Sequence, residues 1–326
     1  MNTFLLKSFK RGSVLCFIMK AIAICLEGIE DVVAKDVKGK KICKGRVRFD
    51  YKKGIESRGA QATYTLLKKF SFKNKKDILN KIESINFEIP ETFKVECKRK
   101  GKHTFNSFEL EKDIGVVLFR KGFKVDIKNP ETIVFIDIID NTGFVGYLVN
   151  KYLCKRDYRI KIHNQSINAC LAYALIKLSN WDKGLLVDPF CKDGVICIEA
   201  ALSNSGKVYG FDESKNNIRN AKINGEYAEA KVIWGNYDLS WLSTKFEKID
   251  CIISNVPFES KRRSEKEVRE KLRELFKQVK GLLKKKMVLI SRKDEIIEEE
   301  SKDFRLIEKR ELVKGQEKWF IFVFEP

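Results

Sequence analysis

Four short stretches hold the residue types that chemistry needs, and each follows an apolar run. Asn255-Val-Pro-Phe258 comes directly after Ile249–Ser254. In such a turn the Asn side-chain oxygen and the next carbonyl can both accept from an exocyclic amine. That aims the nitrogen lone pair at an electrophile, and an aromatic ring stacked on the base adds roughly 1–3 kcal/mol. A plain Asn-Pro turn would read the same way locally. Asp188-Pro-Phe-Cys-Lys-Asp-Gly194 is a polar turn between Leu185–Val187 and Val195–Leu202. A Gly here lets the backbone approach a ligand, and the helix that follows offers N–H groups. One glycine, Gly194, is weak evidence by itself. Roughly 20 residues on, Asp212 ends an apolar run, where an acid accepts from ribose hydroxyls. A helix N-cap is the competing reading. Gly235-Asn-Tyr-Asp238 sits where an adenine contact belongs; Asn236 and Asp238 both qualify, and spacing does not choose between them. Two of the five prolines, Pro189 and Pro257, fall in these turns, which favours ligand loops over chance.

The elements that must position these residues follow from periodicity. Leu185–Asp188 is a continuous apolar run, the mark of a strand buried on both faces, and Val195–Leu202 suits a buried helix. Further strands are expected at Lys207–Phe211, Lys231–Trp234, Ile249–Ser254 and Met287–Ile290, with helices between. Two more, Phe304–Val313 and Glu317–Glu325, close the sheet. A parallel sheet closed by such a hairpin is similar to the class I methyltransferase layout. Upstream, Ala21–Leu26 and Arg46–Asp50 read as strands around a helix over 28–37. Residues 62–72, 75–85 and 107–119 read as helices, and Thr92–Cys97, Lys124–Ile127, Thr132–Ile139 and Gly143–Val149 as strands. Lys98-Arg-Lys-Gly-Lys-His103 reads as a basic loop. Residues 151–165 are polar and basic, the signature of a linker, and a helix is expected from Ser166 to about Leu178.

Composition narrows the partner. The 326 residues carry 65 Lys and Arg against 45 Asp and Glu, a net charge of +20. A mixed-charge thermophile surface does not need that imbalance, whereas a phosphate-backbone partner does. The nine cysteines form no CxxC pair and there are only two histidines, so no metal site is expected. Several thiols sit inside apolar runs, which fits a reducing cytoplasm. No run is long enough to cross a membrane. Residues 13–18 are too short for a convincing signal peptide, and Met19 is an alternative start. His103 reads as a loop residue, His163 as a solvated linker residue, and the four tryptophans as packing.

Several motifs together carry a family resemblance. Asp188-Pro-Phe-Cys-Lys-Asp-Gly-Val-Ile-Cys-Ile-Glu-Ala-Ala201 resembles D-P-F-C-G-S-G-T-x-x-I-E-A-A of the THUMP-domain tRNA (guanine-N2)-methyltransferases. Asn255–Phe258 resembles their N-P-P-Y/F. Lys100–Ser107, Val125–Pro130 and Leu153–Arg159 look like the consecutive THUMP and linker signatures. Gly28–Val37 resembles the G-L-E-x-x-L-A-x-E-L opening. The matches run in the family's order from Met19 onward.

The resemblance implies an α/β chain: a C-terminal class I (Rossmann-like) methyltransferase domain after an N-terminal ferredoxin-like/THUMP α+β region. The expected division is 19–60 ferredoxin-like, 61–150 THUMP, 151–165 linker and 166–326 methyltransferase. It implies S-adenosylmethionine as cofactor and tRNA as partner, gripped at the acceptor stem and 3′ end, with guanosine 6 as acceptor and a monomeric protein. Family roles fall on Asp188, Phe190, Lys192 and Gly194 for the methionine side, Asp212 for ribose, and Asn236 or Asp238 for adenine. Asn255, Pro257 and Phe258 would hold the guanine. Lys98, Arg99, Lys100, Lys102, His103, Arg156 and Arg159 would hold RNA, with Tyr158 among the linker residues bracing the cofactor side. Lys192 and Asp193 replace the family's Gly-Ser, Val256 replaces its first Pro, and Glu259–Ser264 replaces a Gly-x-Arg segment. A side chain at Lys192 stands where backbone should approach, at a position suited to φ > 0. Two alternatives stay open: a weak or inactive tRNA-binding relative, and the same chemistry on ribosomal RNA.

Overall fold

The computed structural model describes residues 19–52, 54–260, 263–314 and 317–326. The apolar run at 13–18, and Lys261 and Arg262 of the basic segment, lie outside the described residues.

The C-terminal half begins with α4 (Ala169–Ser179), β10 (Leu185–Asp188), α5 (Val195–Ser203) and β11 (Lys207–Phe211). It continues with α6 (Lys215–Tyr227), β12 (Ile233–Gly235), α7 (Trp241–Lys245), β13 (Ile249–Asn255) and α8 (Glu265–Val279). It ends with β14 (Leu283–Ser291), α9 (Glu295–Glu300), β15 (Arg305–Lys314) and β16 (Glu317–Glu325). Its sheet runs β12-β11-β10-β13-β14-β16-β15, parallel except for β16, which pairs antiparallel with β14 and β15. Alternate residues serve alternate layers. Leu186, Cys251, Ile253, Val288 and Ile290 face α4 and α5, while Val187, Ile252, Met287 and Leu289 face α8. This two-sided burial is why these strands read as unbroken apolar runs.

The N-terminal half holds β1 (Lys20–Ile24), α1 (Glu30–Val37), β2 (Lys40–Cys43), β3 (Arg46–Asp50), β4 (Ala62–Thr65) and β5 (Lys68–Ser71). Then come α2 (Lys75–Glu83), β6 (Thr92–Lys100), α3 (Ser107–Arg120), β7 (Lys124–Val125), β8 (Thr132–Ile139) and β9 (Thr142–Asn150). Its strands run β2-β3-β1-β4-β9-β8-β6-β7, with β5 also on β9. β4 pairs with β1, so the sheet is continuous across residues 60 and 61. β1 lies between β3 and β4 in a split arrangement of the ferredoxin-like kind, but the described residues between β3 and β4 form no helix. Ala21, Ala23 and Val33 instead share a core with Leu171 and Ala172 of α4. On the opposite face Ile22 and Ile24 join Tyr64, Phe135 and Phe144. Within that region Arg46 and Asp137 form a buried ion pair, and Tyr64 Oη donates to Asp137 at 3.0 Å.

Two expectations fail here. Residues 62–72 are strands rather than a helix: Thr63, Tyr64 and Thr65 favour extended backbone, and Tyr64 is fully buried beside β9. Ala62, Leu66 and Phe70 stand at helical spacing in the sequence alone. Residues 98–100 are not loop but the end of β6, paired with Asp137–Ile139. The helix expected from Ser166 starts at Ala169, where Asn168 Oδ1 caps it from Leu171 N at 2.8 Å.

The halves are joined through buried carboxylates. Glu199 of α5 is fully buried and accepts two bonds from Arg58, each at 2.8 Å, one from Arg156 Nε at 2.9 Å and one from Tyr158 Oη at 2.8 Å. One carboxylate thus holds the N-terminal half and the linker against α5. Glu199→Ala leaves the arginines without their counter-charge, so a loss of about 3 kcal/mol or more is expected in urea unfolding; a loss below about 1 kcal/mol would show that the junction is held elsewhere.

Candidate active site

The strand order reverses between β10 and β13, and in open α/β sheets ligands bind at the carboxyl ends on either side of that reversal. A cleft of about 510 Å³ opens there, lined by Phe190, Lys192, Asp212, Asn217, Pro257 and Arg263 among others. Three of the expected ligand loops face it directly. Gly194 opens α5 with φ 83°, and a Cβ there would meet the Trp234 ring at 2.6 Å, so no other residue fits. Lys192 also has positive φ, 52°.

Asp212, at the end of β11, accepts from Lys192 N at 3.1 Å, Ser214 N at 2.9 Å and Asn217 Nδ2 at 3.0 Å. Asn236 donates to the Asp212 carbonyl at 2.8 Å, close to that carboxylate. Asp238 is exposed and accepts from Ser240 N at 3.0 Å, and it lines a neighbouring hollow together with Asn236, Tyr237 and Trp241. Both therefore lie beside the cleft rather than in its lining, and Asn236 alone of the two is bonded to Asp212.

Asp188 is buried. Its Oδ1 accepts from Ser254 Oγ at 2.6 Å and Phe190 N at 3.1 Å, while Oδ2 has no partner. Burial pushes its carboxyl up to about 7, against the opposing pull of the Ser254 hydroxyl and the Lys192 ammonium. Asn255, also buried, donates from Nδ2 to the Gln165 carbonyl at 2.7 Å. Its Oδ1 is left buried and without a partner. An orphaned buried acceptor costs stability unless something arrives to donate to it. Lys192 is buried too, and its Nζ donates to the Asn255 main-chain oxygen.

Asp193 does not project into the cleft. Its carboxylate accepts from Ser166 Oγ at 2.7 Å and His163 N at 3.2 Å, and Arg159 lies at 3.5 Å. Its carbonyl accepts from Asn224 Nδ2 at 2.9 Å, and Asn224 Oδ1 takes Ile160 N and Lys161 N. This network fixes the turn that presents Gln165 to Asn255. Gln165, Ser166, Ser254 and Asn224 escape sequence reasoning; the Gln165 contact uses backbone, which leaves no signal in residue type.

Other expected residues lie elsewhere than foreseen. Phe258 is buried edge-on against Trp319 at 5.8 Å, with Arg292 over its ring at 4.3 Å, and does not line the cleft; Pro257 does. Arg156 is spent on Glu199 and the Arg58 carbonyl, and Arg159 on Ser166 and Asp193, so their guanidinium groups face inward rather than toward RNA. His163 is half-buried, with Nδ1 accepting from Gln165 N at 3.1 Å, and burial lowers its pKa. His103 is pinned between Arg99 and the Asp140 carbonyl, and Lys100 pairs with Glu27. Lys98 and Lys102 keep exposed side chains.

The residues fit a nucleoside-bearing cofactor with amine and cationic groups. Asp212 has lone pairs left for ribose hydroxyls, and Asp188 Oδ2 and Asn255 Oδ1 await donors. Residues 156–319 match the family described as RMKL-like, methyltransferase domain, and residues 72–147 match the THUMP domain. The chain is 32% identical over 174 residues to a tRNA (guanine(6)-N2)-methyltransferase of Thermus thermophilus, 51% of either chain. It is 24% identical over 263 residues to the protein of that name in Methanocaldococcus jannaschii, covering 64% of this chain and 68% of that one. It thus spans about half the length of the first relative. The crystal structure of TrmN from Thermus thermophilus has a TM-score of 0.78 at 22% identity, covering 94% of this chain and 99% of that one. The C-terminal half therefore has the class I methyltransferase fold, with the THUMP domain before it.

The Asp188 carboxyl supplies a pH test. Its folded pKa lies above the ordinary value of 3.8, so its contribution to stability is full below about pH 4 and is lost as pH rises through about 7. Asp188→Asn removes that loss. The variant should gain more than about 1 kcal/mol on the parent between pH 5 and pH 8 in urea unfolding; parallel profiles would contradict the assignment.

Proposed function

This chain belongs to the RMKL-like methyltransferase-domain family, and from that premise we propose that it methylates the N2 amine of a guanosine in tRNA, at position 6 of the acceptor stem. The observation that carries this reading is the buried, unpartnered Asn255 Oδ1, held open by the bond from its own Nδ2 to Gln165. S-adenosylmethionine supplies an electrophilic methyl carbon on a sulfonium. Asp212 accepts from the ribose hydroxyls, and Asn236 stands beside it for adenine. Asp188 Oδ2 accepts from the methionine ammonium.

Asn255 Oδ1 and the Val256 carbonyl each accept one N–H of the guanine amine. Its lone pair then points along the line of transfer. In the transfer the amine nitrogen would gain the methyl carbon as the C–S bond is given up, leaving a neutral thioether, and the surplus N–H proton would pass to solvent in the open cleft. The nitrogen becomes acidic only during that step, so no strong base is needed beforehand, and positioning supplies most of the acceleration. Pro257 and Phe190 offer the apolar surfaces in the cleft against which the extruded base lies.

We keep the division into 19–60, 61–150, the 151–165 linker and 166–326, with the first two sharing a sheet. The THUMP half and exposed Lys98 and Lys102 grip the tRNA, and the chain acts as a monomer. Among the described residues no helix is long and apolar enough to cross a membrane, and eight cysteines are free thiols, which suits a cytoplasmic enzyme.

The position test uses tRNA transcripts with guanosine or inosine at position 6. Inosine lacks the 2-amino group, so its transcript should accept no methyl; equal labelling of both would overturn the assignment. Asn255→Ala should lower the rate on the guanosine transcript about 100-fold while cofactor affinity stays within a few-fold; an unchanged rate would remove Asn255 from the mechanism.

Salt dependence tests the RNA face. Lys98→Ala with Lys102→Ala should reduce the slope of log affinity against log salt by about 2; an unchanged slope would move the RNA path elsewhere.

A further inference from the structure

One residue joins the two walls of the crevice, its backbone on one and the tip of its side chain on the other. Lys192 N donates to Asp212 Oδ2 at 3.1 Å, and Lys192 Nζ donates to the Asn255 main-chain oxygen. The side chain is buried along this course. It runs from the carboxylate that would hold ribose to the residue that would hold the acceptor amine. A cofactor anchored on Asp212, with a methyl group reaching an amine at Asn255, must follow the same path.

The charges point the same way. Burial works against the Lys192 ammonium and lowers its pKa, and Arg263 adds to that, while the Asp188, Asp212 and Asp193 carboxylates favour its charge; Arg263 and half-buried His163 line the same cleft. Asp188 Oδ2 is unpartnered nearby. With Asp193 paired to Arg159, Lys192 already places a cation of the chain's own beside Asp212 and Asp188. A sulfonium entering here brings a second cation beside the first in a buried setting, where like charges repel far more strongly than in water. A neutral thioether brings none.

We propose that Lys192 is a built-in cation that competes with the sulfonium of the cofactor, so that the pocket favours the neutral product S-adenosylhomocysteine over S-adenosylmethionine. This inference rests on the cofactor reading above and adds the residue that sets discrimination between the two cofactor forms. Lys192 is a specificity-determining residue in this account. It takes part in no bond making.

The test is isothermal titration calorimetry of the full chain with S-adenosylmethionine and with S-adenosylhomocysteine. Lys192→Met removes the charge and keeps most of the volume. Lys192→Gly removes both and relieves the positive φ, so it is a second variant expected to fold. Lys192→Arg keeps the charge. Either neutral variant should raise the affinity for S-adenosylmethionine relative to S-adenosylhomocysteine by at least about tenfold, and Lys192→Arg should keep the parental ratio. A ratio unchanged in both neutral variants, with binding intact, overturns this inference and leaves the cofactor reading standing. Equal weakening of both ligands in those variants overturns it too, because Lys192 would then be a clamp on the amino-acid carboxylate the two forms share. If neither parent nor variants bind either compound, the inference and the cofactor reading fall together.

Discussion

The site depends on one hydrogen bond, from Asn255 Nδ2 to the Gln165 carbonyl. A side-chain amide has a donor end and an acceptor end, and this bond decides which end faces the cleft. Turned the other way, Oδ1 would oppose a carbonyl oxygen at 2.7 Å, a repulsive contact in a buried place. The bond holds only while Gln165 is held. Ser166 and His163 bind the Asp193 carboxylate, Asn224 ties Asp193 to the linker backbone, and Glu199 anchors Arg156 and Tyr158 just before that turn. The linker is thus a structural wall of the site rather than a tether. A departure from the family pattern, Asp193, is part of what fixes it.

The same carboxylates make the pocket receptive to positive charge. Asp188, Asp193 and Asp212 all approach the loop after β10, and two of them are almost fully buried. Burying acids without counter-charge is costly. Lys192 supplies that charge within the chain itself, so the loop can fold without a ligand. The consequence is that the fold's own cation lies where a cofactor's cation would act. Stability of the loop and capture of the cofactor pull in opposite directions at this one residue.

Much of the C-terminal half is legible in the sequence. Strands buried on both faces announce themselves as unbroken apolar runs, and ligand loops at their ends carry short polar motifs. Asp188, Asp212, Asn255 and Pro257 arrive together at the strand reversal, as their spacing implies. What was not legible depends on contacts distant in sequence. Arg156 and Arg159 look like phosphate ligands until Glu199 and Asp193 are seen to hold them. Phe258 looks like a base platform until Trp319, 61 residues later and from the closing hairpin, covers its edge. Gln165 contributes a backbone oxygen, which no residue type records. Residues 62–72 fail for a different reason: Ala62, Leu66 and Phe70 recur every four residues, which satisfies helical spacing, while Tyr64 is recruited into a sheet whose other strands lie far away in the chain.

The central claim is that Asn255 Oδ1 receives the exocyclic amine of guanine. The most direct measurement is nucleoside analysis of unmodified tRNA after incubation with the protein and methyl-labelled S-adenosylmethionine. The account predicts label in N2-methylguanosine alone. Label in a ring-nitrogen product such as N1- or N7-methylguanosine, or in N6-methyladenosine, would contradict it.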